Sequence, residues 1–367
     1  MNTQIQDEFT FKNGQAMRNR VVLAPMTICA SEPGGYVSQA DIDFFARRSR
    51  SVGMVITGST YVHPLGKSFA ESFSGAEDDK IEGLSRLAKA IKDQGALAIV
   101  QLYHGGRMVL PDLIDGQPVA PSAVKAPRDY LAEPRALKNA EVEQVIEDFL
   151  SAIRRAIQAG FDGVELHGAN TYLIQQFVSP HSNVRQDKWG GSLNNRLRFP
   201  KTLLKRAKQL VKEEADRPFL IGYRFSPEEI EEPGIQLYDT LKLLEQLIYH
   251  QVDYLHISTS DVWRSSIRDS QDSEPVIQKI IKKINGRVPL IGVGQIKTKQ
   301  DAQRVLDAGI PLFALGKALL LDPDWAEKVV SGREEEVIRA YRDELQADLA
   351  LPTAFVEDAR SYLEGKD

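Results

Sequence analysis

Eight short apolar runs, each followed by a helix-like stretch, constrain the fold of this chain more than any other feature. The runs are Val21–Ala24, Val55–Thr57, Leu97–Gln101, Gly163–Leu166, Phe219–Arg224, Tyr254–Ile257, Leu290–Val293 and Leu312–Leu315. Most are nearly continuous in apolar residues rather than alternating, as expected for parallel strands that are buried on both faces. We therefore predict an α/β fold in which the strands close into a (β/α)8 TIM barrel.

The stretches between the runs have the amphipathic pattern of helices. They are Ile81–Gln94, Ala140–Ala159, Arg196–Glu214, Leu237–Gln251, Glu274–Asn285 and Thr298–Ala308. Several are followed directly by glycine, the residue that most often ends a helix. A doubly wound open sheet is the alternative fold. It is disfavoured because Met26-Thr27-Ile28, rather than a glycine-rich G-x-G-x-x-G motif, follows the first strand.

Two segments lie outside this repeat of strands and helices. The Asn13-Gly14 pair after the Phe9–Phe11 run predicts a β-hairpin, which we expect to cap the amino end of the barrel. The charged tail from Trp325 to Asp367 has a helical pattern and is expected to pack outside the barrel or on a neighbouring subunit of a homo-oligomer. We predict one domain over residues 1–367, with long functional loops after the third and fourth strands.

Charge and apolar content exclude several classes of function. The 367 residues carry a net charge of −5 without a long block of like charge, which argues against nucleic acid or an anionic membrane as a partner. No apolar run reaches the roughly 18 residues of a membrane span, and the polar N-terminus does not resemble a signal peptide. The single cysteine, Cys29, excludes an internal disulfide and favours a cytoplasmic location. A small-molecule substrate remains as the expected partner.

Three polar residues follow the fourth predicted strand at its carboxyl end, the edge at which barrels bind their ligands. They are His167, Asn170 and Tyr172. No second histidine or carboxylate stands at metal-ligand spacing, and no Ser or Cys nucleophile accompanies them, so we expect neither a metal nor a catalytic triad. Neutral donors beside a phenol suit a polarised oxygen, with Tyr172 as the proton donor. Polar residues that merely cap a strand are the alternative.

The other strand ends carry groups suited to a phosphorylated heterocycle. Gln101 could pair with the N–H and C=O groups of a ring, or be satisfied by backbone. Arg224 interrupts an apolar strand and needs either a carboxylate or a negative ligand. Gly294 and Gly316-Lys317 end the last two strands, where barrels often bind phosphate; ordinary turns are the alternative. With the hydroxyl of Thr27, this set matches flavin mononucleotide, FMN.

The chain resembles the Old Yellow Enzyme family of NAD(P)H:flavin oxidoreductases from the predicted hairpin to the Lys317 region. The motifs that carry the resemblance are Ala24-Pro25-Met26-Thr27, Gln101-Leu102…His104…Gly106-Arg107, His167…Asn170…Tyr172-Leu173…Gln176-Phe177, Ser179-Pro180…Asn183…Arg185…Asp187…Gly190-Gly191-Ser192, Asn195-Arg196…Arg198-Phe199 and Leu315-Gly316-Lys317…Asp322-Pro323…Trp325. Together they are highly specific.

The resemblance implies non-covalent FMN at the barrel mouth, reduced by NADH or NADPH. The implied flavin contacts are Ala24, Pro25, Met26, Thr27, Gly58, Gln101, Arg224, Gly294, Gly316 and Lys317. It further implies hydride transfer from flavin N5 to the β-carbon of an activated alkene, such as an enone or a nitroalkene. His167 and Asn170 would hold the oxygen of that substrate, and Tyr172 would protonate its α-carbon.

Three departures from the family pattern and two alternative functions accompany this interpretation. The stretch Thr57-Gly58-Ser59 is smaller and less acidic than the family often shows. Lys317 stands where the family usually carries arginine and lacks its bidentate fork. Thr27 and Cys29 stand where one branch has a cysteine and an aromatic residue. A barrel lyase or aldolase with the same phosphate site is one alternative, although no predicted strand carries a lysine for a Schiff base. A non-catalytic flavin-binding redox sensor is the other, although it would not need His167, Asn170 or Tyr172.

Overall fold

The computed structural model describes residues 3–364, in which eight parallel strands close into a barrel. The strands of the chain are β1 Phe9–Thr10, β2 Ala16–Met17, β3 Val21–Leu23, β4 Met54–Tyr61, β5 Leu97–Tyr103, β6 Val119–Ala120, β7 Arg135–Ala136, β8 Gly163–Gly168, β9 Leu220–Phe225, β10 Tyr254–Ile257, β11 Leu290–Val293 and β12 Leu312–Leu315. The barrel runs β3-β4-β5-β8-β9-β10-β11-β12 and closes where β12 pairs with β3. The predicted barrel is confirmed, and all eight predicted strands belong to it.

Helices follow the strands and cover the outside of the barrel. They are α1 Gln39–Ser49, α2 Ile81–Lys92, α3 Asn139–Gln158, α4 Leu173–Val178, α5 Leu193–Arg196, α6 Arg198–Glu214, α7 Leu237–Tyr249, α8 Val276–Ile284, α9 Lys299–Asp307, α10 Lys317–Leu321, α11 Trp325–Val330 and α12 Thr353–Glu364. Among residues 3–364, no helix is long and apolar enough to cross a membrane.

Helix α1, between the first two barrel strands, is absent from the predicted helices. Its signal lies in its first turn, where Ser38 Oγ accepts a hydrogen bond from the Asp41 N–H and the Asp41 carboxylate accepts one from the Ser38 N–H. This capping box satisfies two backbone donors that the start of a helix leaves unpaired. Few apolar residues follow this capping box within α1. Phe44 and Phe45 are fully buried and pack the helix against the barrel.

The tail from Trp325 is less helical than its sequence pattern predicts. Only α11 and α12 are α-helical there, and residues 331–352 form turns and short 3-10 segments. Gly332 and Pro352 bound this stretch, and the Asp322 carboxylate anchors it by accepting from the Ile338 N–H at 2.9 Å. Tertiary bonds to the barrel, rather than helical periodicity, therefore fix its path. The outer ends of the predicted domain, residues 1–2 and 365–367, lie outside the described residues.

Side chains on the barrel strands alternate between the interior and the surrounding helices. Val164, Leu166, Ile221 and Tyr223 belong to the large core between strands and helices. The barrel interior holds a separate apolar cluster: Phe11, Met17, Val22, Ala24, Met54, Ile56, Ile99, Leu220, Tyr254, Ile291, Leu312 and Ala314. Beyond this cluster, toward the carboxyl ends of β5, β8, β9 and β10, further side chains point inward. They form the floor of the barrel mouth.

The predicted hairpin closes the amino end of the barrel, as its β1–β2 pairing and packing show. Phe11 is 3% exposed, and its ring lies 6.2 Å from that of Tyr254 inside the barrel. Tyr254 has room there because Gly222 lies beside it: a Cβ at that position would meet the tyrosine ring at 2.0 Å. The hairpin therefore completes the apolar filling of the barrel.

We expect Phe11→Ala to lower the free energy of unfolding by about 3–5 kcal/mol, because it leaves a cavity under the barrel. Urea denaturation followed by tryptophan fluorescence measures the effect. Phe11→Leu, which keeps most of the buried volume, should cost clearly less. Equal effects of the two substitutions would show that filling of the barrel end is not what stabilises the fold.

Candidate active site

Toward the carboxyl ends of four adjacent strands, the inward side chains include a group of five polar ones. They are Gln101 on β5, Glu165 and His167 on β8, Arg224 on β9 and His256 on β10. Strand register aligns Gln101 with Glu165, and His167 and His256 with Arg224. Since the layer below them is apolar, the five side chains form one polar floor at the barrel mouth.

Arg224 is the cation of this floor and is 9% exposed. Its buried Nε has no hydrogen-bond partner, and the guanidinium forms no hydrogen bond or ion pair within residues 3–364. Burial lowers the pKa of Arg224 and the nearby Glu165 charge raises it, and a guanidinium still stays protonated at neutral pH. A buried guanidinium without a partner is costly unless a ligand pairs with it, so the geometry calls for a negative or strongly polar ligand.

His167, Asn170 and Tyr172 come together at the mouth, as the sequence predicts. The rings of His167 and Tyr172 are edge-to-face with centroids 5.0 Å apart. Asn170 Oδ1 accepts a hydrogen bond from Ser258 Oγ at 2.8 Å, which leaves the amide N–H groups free to donate. His167 Nδ1 and the Tyr172 hydroxyl make no hydrogen bond to any other residue in the described range.

The loop that carries these groups holds an unusual backbone conformation. Asn170 and Thr171 have φ of 56° and 63°, left-handed values that are costly for residues other than glycine. Helix α4 compensates with side chains, because Gln175 Oε1 accepts from the Thr171 N–H and Gln176 Nε2 donates to its carbonyl at 2.7 Å. This rigid turn places Tyr172 at the start of α4, facing the site.

Burial sets the protonation states of this group. Burial, reinforced by Arg224 and His256, lowers the pKa of His167 well below its usual value, so the imidazole is neutral. Burial also raises the pKa of Tyr172 to about 12, with Arg224 and Arg128 opposing it. The site therefore presents a neutral imidazole, an amide and a protonated phenol.

The first barrel strand brings Thr27 to the opposite side of the mouth. The Ala24 N–H donates to the Leu315 carbonyl at 3.0 Å, which ties this segment to the last strand. Thr27 Oγ1 accepts from the Ser59 N–H at 3.2 Å, so its own hydroxyl hydrogen can point to a ligand. Gly58 lies within β4 rather than after it, and a Cβ there would meet the Met26 carbonyl at 2.7 Å. Glycine is thus required by close packing of the Met26-Thr27 segment.

Gly294, Gly316 and Lys317 follow the last two barrel strands. Gly294 has φ of 114°, and a Cβ there would strike the backbone of Asp261 at 2.8 Å. Gly316 faces open space, with only Met26 Sδ at 3.5 Å from a built Cβ. Lys317 Nζ lies 4.5 Å from the ring centre of Tyr362 on α12 and has no carboxylate partner in the described part of the chain. It is therefore free to bind an anion.

Other polar residues of the predicted motifs have structural roles. His104 Nδ1 accepts from the Gly106 N–H at 3.0 Å, and burial lowers its pKa to about 3. Arg107 binds the Val124 carbonyl and His181 Nδ1, and so joins two loops of the mouth. Burial raises the pKa of the Cys29 thiol, which disfavours the reactive thiolate.

Glu165 and His256 are absent from the predicted site residues. Their signal was available, because each is a polar residue in an otherwise apolar strand at the inward position of a two-residue alternation. Glu165 bonds Gln101 Nε2 at 2.7 Å and His256 Nδ1 at 2.9 Å. The partners of Gln101 are thus side chains rather than backbone, since Ser59 Oγ also donates to its Oε1 at 3.2 Å.

These residues fit FMN on their own chemistry. The unpaired guanidinium of Arg224 and the remaining amide N–H of Gln101 suit the pyrimidine edge of a flavin. Thr27 supplies a hydroxyl, and the free ammonium of Lys317 beside the open Gly316 suits a phosphate. Among residues 3–364, no group of three His, Cys, Asp or Glu side chains is placed to hold a metal ion.

Comparison with known proteins agrees with this fit. Residues 7–336 match the profile of the NADH:flavin oxidoreductase / NADH oxidase family. NADH:fumarate oxidoreductase of Klebsiella pneumoniae is 47% identical over 340 residues, covering 92% of this chain but 37% of that protein. A probable NADH-dependent flavin oxidoreductase of Bacillus subtilis is 44% identical over 332 residues, 90% of this chain and 89% of that protein. The solved old yellow enzyme homologue from Zymomonas mobilis is 26% identical with a TM-score of 0.79, covering 90% and 93% of the two chains.

Proposed function

Because this chain belongs to the NADH:flavin oxidoreductase / NADH oxidase family, we propose that it is an FMN-dependent enzyme that oxidises NADH or NADPH and reduces activated alkenes. The family match confirms the resemblance predicted from the sequence, and with it a flavin and a nicotinamide reductant at the level of the family. The activity rests on one observation: an unpaired buried cation and three neutral hydrogen-bonding groups share one barrel mouth.

Under this proposal, each side of the mouth has a separate task. Gln101 and Arg224 hold the pyrimidine edge, Thr27 bonds the adjacent carbonyl, and Lys317 holds the phosphate. When bound, FMN supplies the hydride that reduces the alkene β-carbon. His167 and Asn170 donate hydrogen bonds to the carbonyl or nitro oxygen, which gains negative charge as the alkene is reduced. Tyr172 then delivers a proton to the α-carbon.

Purified protein should therefore be yellow, and anaerobic NADH or NADPH should bleach its flavin absorbance, which an enone then restores. A colourless protein that does not take up FMN would overturn the proposal. Borohydride trapping of a carbonyl substrate would instead identify a Schiff-base lyase. Bleaching by nicotinamide without turnover of any acceptor would identify a redox sensor.

An unsaturated carboxylate is a second acceptor class, and Arg128 favours it. Arg128, in the loop after β5, is close enough to Tyr172 for its charge to lower the pKa of that phenol. Its guanidinium bonds the Tyr130 hydroxyl at 3.0 Å and stays exposed. The relative from Klebsiella pneumoniae is named for fumarate, although this chain spans only 37% of its length.

We expect Arg128→Ala to lower kcat/KM for an unsaturated carboxylate by about tenfold, a modest loss because solvent screens the charge of an exposed guanidinium. Steady-state rates with acrylate and with the neutral cyclohexenone test this. The cyclohexenone rate should be unchanged. An equal loss with both acceptors would assign Arg128 to the loop structure rather than to recognition of a carboxylate.

A further inference from the structure

We propose that Glu165 is a positioning residue of the flavin site, which holds the Gln101 amide in place and offsets part of the Arg224 charge. This inference rests on the proposed function and deepens it. Glu165 contacts no open part of the mouth, because its side chain is 0% exposed. It would therefore act through its neighbours.

The geometry gives Glu165 two well-made contacts. Its Oε1 accepts from Gln101 Nε2 at 2.7 Å and its Oε2 from His256 Nδ1 at 2.9 Å. With one amide hydrogen fixed by Glu165, and Oε1 of Gln101 occupied by Ser59, the Gln101 plane has a single orientation. Its second amide hydrogen is then directed away from Glu165, available to a carbonyl of a bound ring.

Of the titratable groups around Glu165, some are charged and others are neutral. Burial opposes ionisation, but His256 and Arg224 lower the pKa of Glu165, so it stays a carboxylate. Burial lowers the pKa of His256 despite Glu165, so the imidazole is neutral and its Nδ1–H donates. The buried Tyr254 hydroxyl is also held neutral and His167 is neutral. Glu165 and Arg224 are therefore the only charged members of this group of titratable residues.

Glu165 lies on the strand next to Arg224, paired with Gly222 two residues before it. A carboxylate at this position weakens the attraction of the guanidinium for negative charge at the pyrimidine edge, where charge develops on reduction. Removing the Glu165 charge should therefore favour reduced flavin. A residue that merely supported the fold would change the stability of the protein but not this equilibrium. The midpoint potential of the bound flavin separates these two roles.

The test compares Glu165→Gln with wild-type holoenzyme by anaerobic redox titration against a reference dye. The variant should increase the ratio of reduced to oxidised flavin at least tenfold at a fixed potential, equivalent to about 30 mV for a two-electron couple. Asp162→Asn is the matched control. It removes a buried carboxylate that precedes β8 at the amino end of the barrel, where it binds the Ala98 N–H, and it should leave the ratio unchanged.

Glu165→Asp is the second variant, and it tests the inference if Glu165→Gln does not fold. It keeps the charge, so the ratio of reduced to oxidised flavin should stay within threefold of wild type. Its shorter side chain no longer reaches Gln101 as well, so the Kd for FMN should rise at least threefold. Yellow, reducible protein with an unchanged ratio in Glu165→Gln would overturn the inference and leave the proposed function intact. A tenfold change in the ratio of reduced to oxidised flavin in Glu165→Asp would overturn the charge argument. An unchanged Kd for FMN in the same variant would overturn the positioning of Gln101. Colourless wild-type protein would instead overturn the proposed function itself.

Discussion

Tyr172→Phe is expected to lower kcat for reduction of an enone by about 10²–10⁴-fold, the usual contribution of a general acid. Reduction of the bound flavin by NADH or NADPH should change little, because that half-reaction needs no proton from the phenol. Rapid mixing of oxidised protein with nicotinamide, and of reduced protein with cyclohexenone, measures the two halves separately. Only the second half should slow.

The pH dependence of enone reduction tests the same assignment. Since burial raises the pKa of Tyr172 to about 12, the phenol stays protonated far above neutrality. Enone reduction by the pre-reduced protein should therefore be independent of pH between about 6 and 9, and should decline only as the pH approaches that pKa. A decline centred near pH 7 would point to a different proton donor.

Tyr103→Phe provides the matched control for the loss of a phenol. The Tyr103 ring lies 5.2 Å from that of Tyr172, and its hydroxyl accepts from the Ser68 N–H rather than facing the site. This variant should reduce enones at nearly the wild-type rate. If both variants were equally slow, packing of the two rings rather than proton transfer would explain the loss.

Asn170→Asp should lower kcat/KM for enones by about 10²–10³-fold, as removal of one donor from an oxyanion site does. The substitution keeps the size of the side chain, and aspartate tolerates the left-handed backbone at this position. It replaces amide donors with a carboxylate that repels the developing negative charge. Comparing kcat/KM for cyclohexenone in both proteins measures the effect.

Ser258→Ala separates orientation from donation at Asn170. It removes the hydroxyl that donates to Asn170 Oδ1 but leaves both amide hydrogens in place, so a loss of about tenfold or less is expected. A wild-type rate in Asn170→Asp would remove Asn170 from the substrate site. The oxygen of the substrate would then depend on His167 alone.

Most of the fold could be predicted from sequence, because continuous apolar runs identify strands that are buried on both faces. The mouth residues were predictable for a related reason: polar groups directly after such runs lie at the carboxyl edge of a barrel. Helix α1 was not predicted because a capping box, rather than a long apolar stripe, marks it in the sequence. Glu165 and His256 were not predicted because they lie inside the predicted apolar runs, whereas Gln101 and Arg224 lie at the ends of theirs. Only the inward direction of the two side chains shows that they meet.

The contact between Lys317 and Tyr362 could not be predicted from the sequence, for a different reason. Forty-four positions separate the two residues, and an isolated tyrosine in a charged tail has no periodic partner. Only the path of residues 331–352 over the barrel brings α12 to the last strand end. Long-range contacts of this kind depend on tertiary packing rather than on local pattern.

The position of α12 has a practical consequence for anyone who prepares this protein. The Tyr362 ring contacts one side of the Lys317 ammonium, and the charge of Asp358 on the same helix reaches Cys29, so α12 forms part of the wall of the mouth. A tag fused directly behind α12, or a truncation before Thr353, would alter the surroundings of Lys317, the residue proposed to bind the cofactor phosphate. Preparations that carry the tag at the amino end, on the hairpin side of the barrel, would leave that wall intact.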